Sequence, residues 1–187
     1  MASYIMSITA RDRSGIVAGL SEALLAMGGN IVAASQTVHQ GYFAMIINCT
    51  FPGEAVDVEK LTDLIHQKGG ADLHVYITDY KPPVCGGGDN TSQSFIVTAL
   101  GPDKPGILHS LATYLAGRDI NIDDLYCCVD KGNFVVICQV SVPAGLDIFS
   151  LQADLEEAGK ERGVIINMQH ENIFVATNEL PLKRQRS

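Results

Sequence analysis

Asp12–Ile31 reads DRSGIVAGLSEALLAMGGNI, and 91 positions later Asp103–Ile122 reads DKPGILHSLATYLAGRDINI. No other feature constrains the fold as much as this repetition. At the same offset Tyr4-Ile5 meets Phe95-Ile96, Gly15-Ile16 meets Gly106-Ile107, and Leu20 and Leu24 meet Leu111 and Leu115. Asn30-Ile31 meets Asn121-Ile122, Gly41 meets Gly132, and no gap is needed until past Pro52 and Pro143. A unit of about 75 residues is too long for a solenoid repeat and reads as a duplicated small domain. Whatever fold one copy has, the other must share.

Between the copies runs KPPVCGGGDNTSQS, Lys81 to Ser94. Two prolines, three glycines in a row and a polar stretch mark an exposed connector. The glycines lack the Gly-Lys-Ser/Thr ending and following helix of a phosphate loop. Cys85 falls here, without an assigned role. The expected organisation is domain 1 over 1–80, linker 81–94, domain 2 over 95–178, and a basic, disordered tail over 179–187.

Each copy opens with a short apolar strand, Tyr4–Thr9 and Phe95–Leu100, followed by an Asp-x-x-Gly turn. Apolar residues then recur at helical spacing: Ile16, Leu20, Leu24 and Met27, matched by Ile107, Leu111 and Leu115. Two strands follow around the tight turns HQGY (39–42) and DKGN (130–133), where glycine supplies a positive φ. A second helix carries Val58, Leu61 and Ile65 in one copy and Ile148, Leu151 and Leu155 in the other. A last strand closes each unit, near Leu73–Thr78 and Val164–Gln169. The order β-α-β-β-α-β predicts an α+β chain of two ferredoxin-like domains, each a four-stranded antiparallel sheet with two helices on one face. The third strands, FAMIINCTF and FVVICQVSV, are apolar on both faces for much of their length, so part of the second face is expected to be covered, by the other copy or by another subunit.

The turn between first strand and first helix delivers free backbone N–H groups to one spot, which attracts a carboxylate or other anion. Gly15 and Gly106 would let a ligand approach the backbone. Asp12 and Asp103 place a carboxylate alongside, suited to an ammonium group, and the pair describes a receptor for a zwitterion. A purely structural reading stands beside it: Asp as helix N-cap, glycine as turn residue, Pro105 in the first helical turn.

These motifs resemble the ACT domain, a small ligand-binding module attached to many enzymes of amino-acid metabolism. Two copies with no attached enzyme resemble the glycine-cleavage-system transcriptional repressor family of tandem ACT proteins. The resemblance spans nearly the whole chain outside the linker and tail. It implies amino-acid binding at Asp12, Ser14, Gly15 and Ile16 and at Asp103, Pro105, Gly106 and Ile107, often at an interface between ACT domains. Asn30, Ile31, Asn121 and Ile122 are implied to lie opposite. The family has proline before the glycine, as at Pro105; copy one has Ser14, and the second loop is the better candidate.

Other classes fit less well. The net charge of −8, from 13 basic and 21 acidic side chains, opposes direct nucleic-acid binding. RNA-recognition motifs share the element order but need exposed aromatics in basic surroundings, and only 6% of the chain is aromatic. An acylphosphatase-like enzyme would need Arg11 or Arg13 with Asn48 around an anion cradle that the second copy does not repeat. Adjacent Cys127 and Cys128 face opposite sides of a strand, and the histidines have no ligand spacing, so no metal site is expected. Cys138 aligns with Ile47 as a core residue. The five cysteines read as reduced thiols, and with no membrane span or secretory signal expected, the chain reads as cytoplasmic. The expectation is a non-catalytic regulatory protein without a cofactor. It would bind a small amino acid, form a homo-oligomer such as a dimer, and act on a transcription factor or metabolic enzyme as a possible transcriptional co-regulator. The alternative is a protein–protein adaptor with vestigial ligand sites.

Overall fold

Alternation builds the first strand. In β1 (Ala2–Arg11) Tyr4, Met6, Ile8 and Ala10 are buried while Ser7 and Thr9 point outward, the signature of a sheet with helices on one side only. The computed structural model describes residues 1–53, 55–82 and 92–178. The chain divides into two compact units, Met1–Gly86 and Gly87–Ser187. Most of the expected connector, including Cys85, and the tail 179–187 lie outside the described residues.

The first unit continues through α1 (Ile16–Ala26), β2 (Asn30–His39), β3 (Tyr42–Phe51), α2 (Val58–Gly69) and β4 (His74–Asp79). The second runs β5 (Gln93–Pro102), α3 (Ile107–Ala116), β6 (Asn121–Asp130), β7 (Asn133–Val142), α4 (Ile148–Arg162) and β8 (Ile165–His170). The sheets have strand orders β2-β3-β1-β4 and β6-β7-β5-β8, with every pairing antiparallel. This is the expected α+β, ferredoxin-like arrangement, twice. The repeat extends to irregularities: both edge strands shift register at the same place, between Ile31 and Ala33 and between Ile122 and Asp124.

The hairpin turns are tighter than glycine alone explains. Gln40 and Gly41 have φ of 49° and 79°, and Lys131 and Gly132 have 48° and 80°. Two successive positive φ angles match the two-residue turn whose twist suits flanking strands. One difference separates the units. A helix absent from the sequence expectations, α5 (Glu171–Asn178), follows β8 and packs on β5 and β8.

Each unit has its own core. In the first, Leu20, Leu24, Leu61 and Ile65 of the helices meet Met6, Ile8 and Ile47 of the sheet. In the second, Leu111, Leu115, Leu151 and Leu155 meet Val97, Val136 and Cys138. The opposite face of the first sheet carries Ile5, Ser7 and Thr9 on β1 and Ala44, Ile46 and Asn48 on β3. Ala33, Ser35 and Thr37 extend it onto β2, and Tyr76 and Thr78 onto β4. Within the first unit, Ile46 is 53% exposed. On the second sheet the matching Ile137 is 38% exposed.

Candidate functional site

The two Asp-x-x-Gly loops are held the same way. The backbone N–H of Asp12 donates to the Gly41 carbonyl at 2.9 Å, and that of Asp103 to Gly132 at 3.0 Å. Each loop therefore hangs from the tip of its own hairpin. On the other side Arg13 donates to the Gly69 carbonyl at the end of α2 (2.7 Å) and grips both carboxylate oxygens of Asp72 (2.8 and 2.9 Å). Lys104, the residue at the same place in the second loop, donates to the Arg162 carbonyl at the end of α4 (3.1 Å). A cation on carbonyls at a helix C-terminus is favourable. The sequence reading takes Arg13 only as a candidate anion ligand; the signal for the tether is a cation at the same offset in both copies, Arg13 and Lys104.

Gly15 and Gly106 are the N-cap residues of α1 and α3, with φ of 94° and 89°. A Cβ added at either would meet nothing within 4 Å. The positive φ, and not crowding in the free protein, requires glycine. Neither helix start has a side-chain cap. The structural reading of Asp12 and Asp103 as N-caps therefore fails: their carboxylates have no hydrogen-bond partner among the described residues. By contrast, α2 and α4 are capped, Asp57 accepting from the Lys60 N–H and Asp147 from the Phe149 N–H. The Ser150 hydroxyl and the Phe149 N–H hold the Asp147 carboxyl below its usual pKa. Side-chain caps are thus present on α2 and α4 and absent on α1 and α3.

The remaining candidates divide. Ser14 and Pro105 are exposed on the loops. The Ile16 and Ile107 side chains are 2% and 4% exposed, core residues that offer only backbone to a ligand. Asn30, Ile31, Asn121 and Ile122 are not brought to the loop of their own unit. Asn30 lies opposite Thr50, whereas Arg11, at the loop end of β1, lies opposite Tyr42. Eight strand residues separate those positions on β3, on the order of 27 Å. The reason is topological: α1 carries the chain back to the far end of the sheet before β2 begins. The Asn121 amide is engaged there by Asp123 (2.7 Å), which also accepts from the Ser141 hydroxyl (2.5 Å).

The structure also separates the acylphosphatase-like set. Arg13 is committed to Asp72 and Gly69, the Arg11 guanidinium lies 4.5 Å from the centre of the Tyr42 ring, and Asn48 sits on β3 opposite Ile5. Among the described residues no group of three or more His, Cys, Asp or Glu could hold a metal ion. Cys49 and Cys138 are buried, and burial pushes each thiol up to about 11. Cys127 packs against the second core. Cys128 lies on the other face beside Tyr126, and a hydrogen bond with that thiol raises the phenol pKa. No helix among the described residues is long and apolar enough to cross a membrane.

Comparison with known proteins agrees with this fold. Models of the ACT domain match residues 4–70 and 93–169. A UPF0237 protein of Methanosarcina acetivorans is 33% identical over 85 residues, covering 45% of this chain and 92% of the relative. A UPF0237 protein of Methanococcus maripaludis is 37% identical over 83 residues, 44% of this chain and 92% of that one. These relatives are single-unit proteins in length. A crystal structure from Galdieria sulphuraria superposes with a TM-score of 0.73 at 21% identity, covering 90% of this chain and 98% of the other. A structure of a candidate glycine cleavage system transcriptional repressor superposes with a TM-score of 0.63 at 16% identity, covering 91% and 98%. At these identities the superpositions speak for the two-unit fold.

Proposed function

The chain belongs to the ACT-domain family, with one such domain in each half, and from that premise we propose that it is a non-catalytic regulator which binds a small amino acid at its loops. The observation that carries this reading is the contrast in capping: α2 and α4 are capped by aspartate side chains, whereas α1 and α3 start uncapped beside the unpaired carboxylates of Asp12 and Asp103. The ligand carboxylate would meet the N–H groups after Gly15 or Gly106, and its ammonium group the adjacent aspartate. The Asp103–Ile107 loop is the stronger site, because Pro105 fixes its own φ and leaves less freedom to lose on binding. Asn30-Ile31 and Asn121-Ile122 would serve a ligand held by a neighbouring subunit's loop, since they cannot reach their own. We propose further that the protein is a cytoplasmic homodimer that acts through protein contacts, on a transcription factor or a metabolic enzyme, and not by holding nucleic acid. The fold shared with a candidate glycine cleavage repressor makes glycine the first ligand to try.

A thermal-shift screen of free amino acids tests the reading. A true ligand at about 100 times its Kd should stabilise the fold by roughly 2.7 kcal/mol. Asp103→Asn keeps the loop's shape and removes the charge. It should weaken binding at least tenfold while leaving the melting temperature of the free protein nearly unchanged. If no amino acid shifts the melting temperature, the adaptor reading with vestigial loops replaces this one.

A further inference from the structure

The two units pair their helices differently, and the difference leaves a space in the second. In the first unit Gly19 lets the backbone of α1 rest on Lys68 and Gly69 at the end of α2. At the offset of 91, Ser110, Tyr114 and Arg118 take the places of Gly19, Ala23 and Met27. These bulkier side chains stand between α3 and α4, with the Tyr114 hydroxyl and the Arg118 guanidinium both on Asp154 (2.9 and 3.0 Å). A cavity of about 30 Å³ lies beside them, walled by Leu111, Leu155 and Ile166. All of its lining belongs to the second unit, so its shape does not depend on the first.

Size and charge together select an occupant. One water-sized group needs about 10–15 Å³, so the cavity holds two or three methyl-sized groups, the end of a short branched alkyl chain. Its walls are mostly aliphatic, and the one hydroxyl that lacks an acidic partner, on Ser110, already donates to the Gly106 carbonyl (2.9 Å). A space of this kind favours an apolar group over water. The two ends of the crevice differ. Towards Tyr114 the Asp154 carboxylate is satisfied by Tyr114 and Arg118, and the Arg118 guanidinium lies 3.7 Å from the centre of the Tyr114 ring. Arg162, two helical turns further along α4, is the one charged residue in the lining, and its guanidinium has no hydrogen-bond or ion-pair partner among the described residues. The Lys104 ammonium reaches the same end, donating to the Arg162 carbonyl (3.1 Å). Cations at the mouth suit a carboxylate. No Asp or Glu lines the cavity, so an ammonium group on the same ligand would lack a partner.

We infer that the crevice between α3 and α4 is a binding site for a short, branched aliphatic carboxylate, its alkyl end among Leu111, Leu155 and Ile166 and its carboxylate on Arg162. The inference does not rest on amino-acid binding at the loops. The test titrates isovalerate into the full chain, with the methyl groups of its Ile, Leu and Val residues isotope-labelled and followed by NMR. At millimolar isovalerate, the range open to so small a ligand, the methyl signals of Leu111, Leu155 and Ile166 should shift together. Arg162→Gln should raise the dissociation constant at least about fivefold. Ser110→Leu, which fills the crevice, should abolish the shifts. Valine, which is isovalerate with an added ammonium group, should bind at these signals at least about fivefold more weakly. Circular dichroism checks that each variant is folded, and Ala158→Leu replaces Ser110→Leu if the latter is not. Absent shifts at the three residues, shifts that survive Arg162→Gln or the filling substitution undiminished, or equal binding of valine would each overturn the inference.

Discussion

Cys49 and Cys138 show how position decides the behaviour of one residue type. Both face the core, at 0% and 1% exposure, and burial raises their thiols to about 11. A folded pKa above the unfolded value, which lies near 9, keeps the full contribution to stability below pH 9. It is lost as the pH rises towards 11, because the unfolded chain ionises first. Chemical denaturation at pH 8 and at pH 10.5 should therefore show lower stability at the higher pH, and Cys49→Ala with Cys138→Val should flatten the difference. Mass spectrometry after brief iodoacetamide treatment should find Cys128 labelled in the folded protein and Cys49 and Cys138 labelled only after unfolding. The alignment of Cys138 with Ile47 already reads it as a core residue; the sequence did not place Cys49, which lies directly opposite Tyr4 and takes part in a 3.8 Å contact with its carbonyl.

At the scale of elements, one glycine sets how closely two helices meet. A Cβ on Gly19 of α1 would collide with the Lys68 carbonyl and lie 2.6 Å from the Gly69 Cα, so α1 rests directly on the end of α2. Ser110 holds the matching place in α3, with its hydroxyl turned back to the Gly106 carbonyl at 2.9 Å. There α3 and α4 stand further apart, bridged by Tyr114 and Arg118 on Asp154 (2.9 and 3.0 Å). A cavity of about 30 Å³ lined by Leu111, Leu155 and Ile166 remains between them. Gly19→Ala should destabilise the first unit by about 1–3 kcal/mol, the usual cost of overpacking. Ser110→Ala should change stability by less than about 1 kcal/mol; urea melts of both variants decide it. Hydrophobic period and turn residues made all eight strands and the four long helices legible. What they could not show were contacts made through backbone or through residues far apart in sequence: the Gly19 crossing, the Arg13 tether, and the uncapped state of α1. The eight residues of α5 carry neither a cap signal nor a clear stripe, and the helix packs on β5 and β8, with Glu171 accepting from Gln139 at 3.4 Å.

For the whole molecule, the repeat and the composition of residues 81–94 place a joint between two self-contained cores, and we propose that each unit folds on its own. Brief proteolysis should cut first within Lys81–Ser94 and leave two fragments that keep their circular dichroism. Early cuts inside either repeat with the joint intact would count against it. Cohesion of this kind leaves a question of communication, and the hydrogen bonds from Asp12 to Gly41 and from Asp103 to Gly132 bear on it. Each Asp-x-x-Gly loop is suspended from the tip of a hairpin whose outer strand, β2 or β6, forms a sheet edge. A molecule that stiffens the loop stiffens the tip of that edge, and a protein that grips the edge restrains the loop. By thermodynamic reciprocity the two effects must be equal in free energy. The bond at each hairpin tip is thus one route by which a ligand at the loop and a partner at the edge would influence each other.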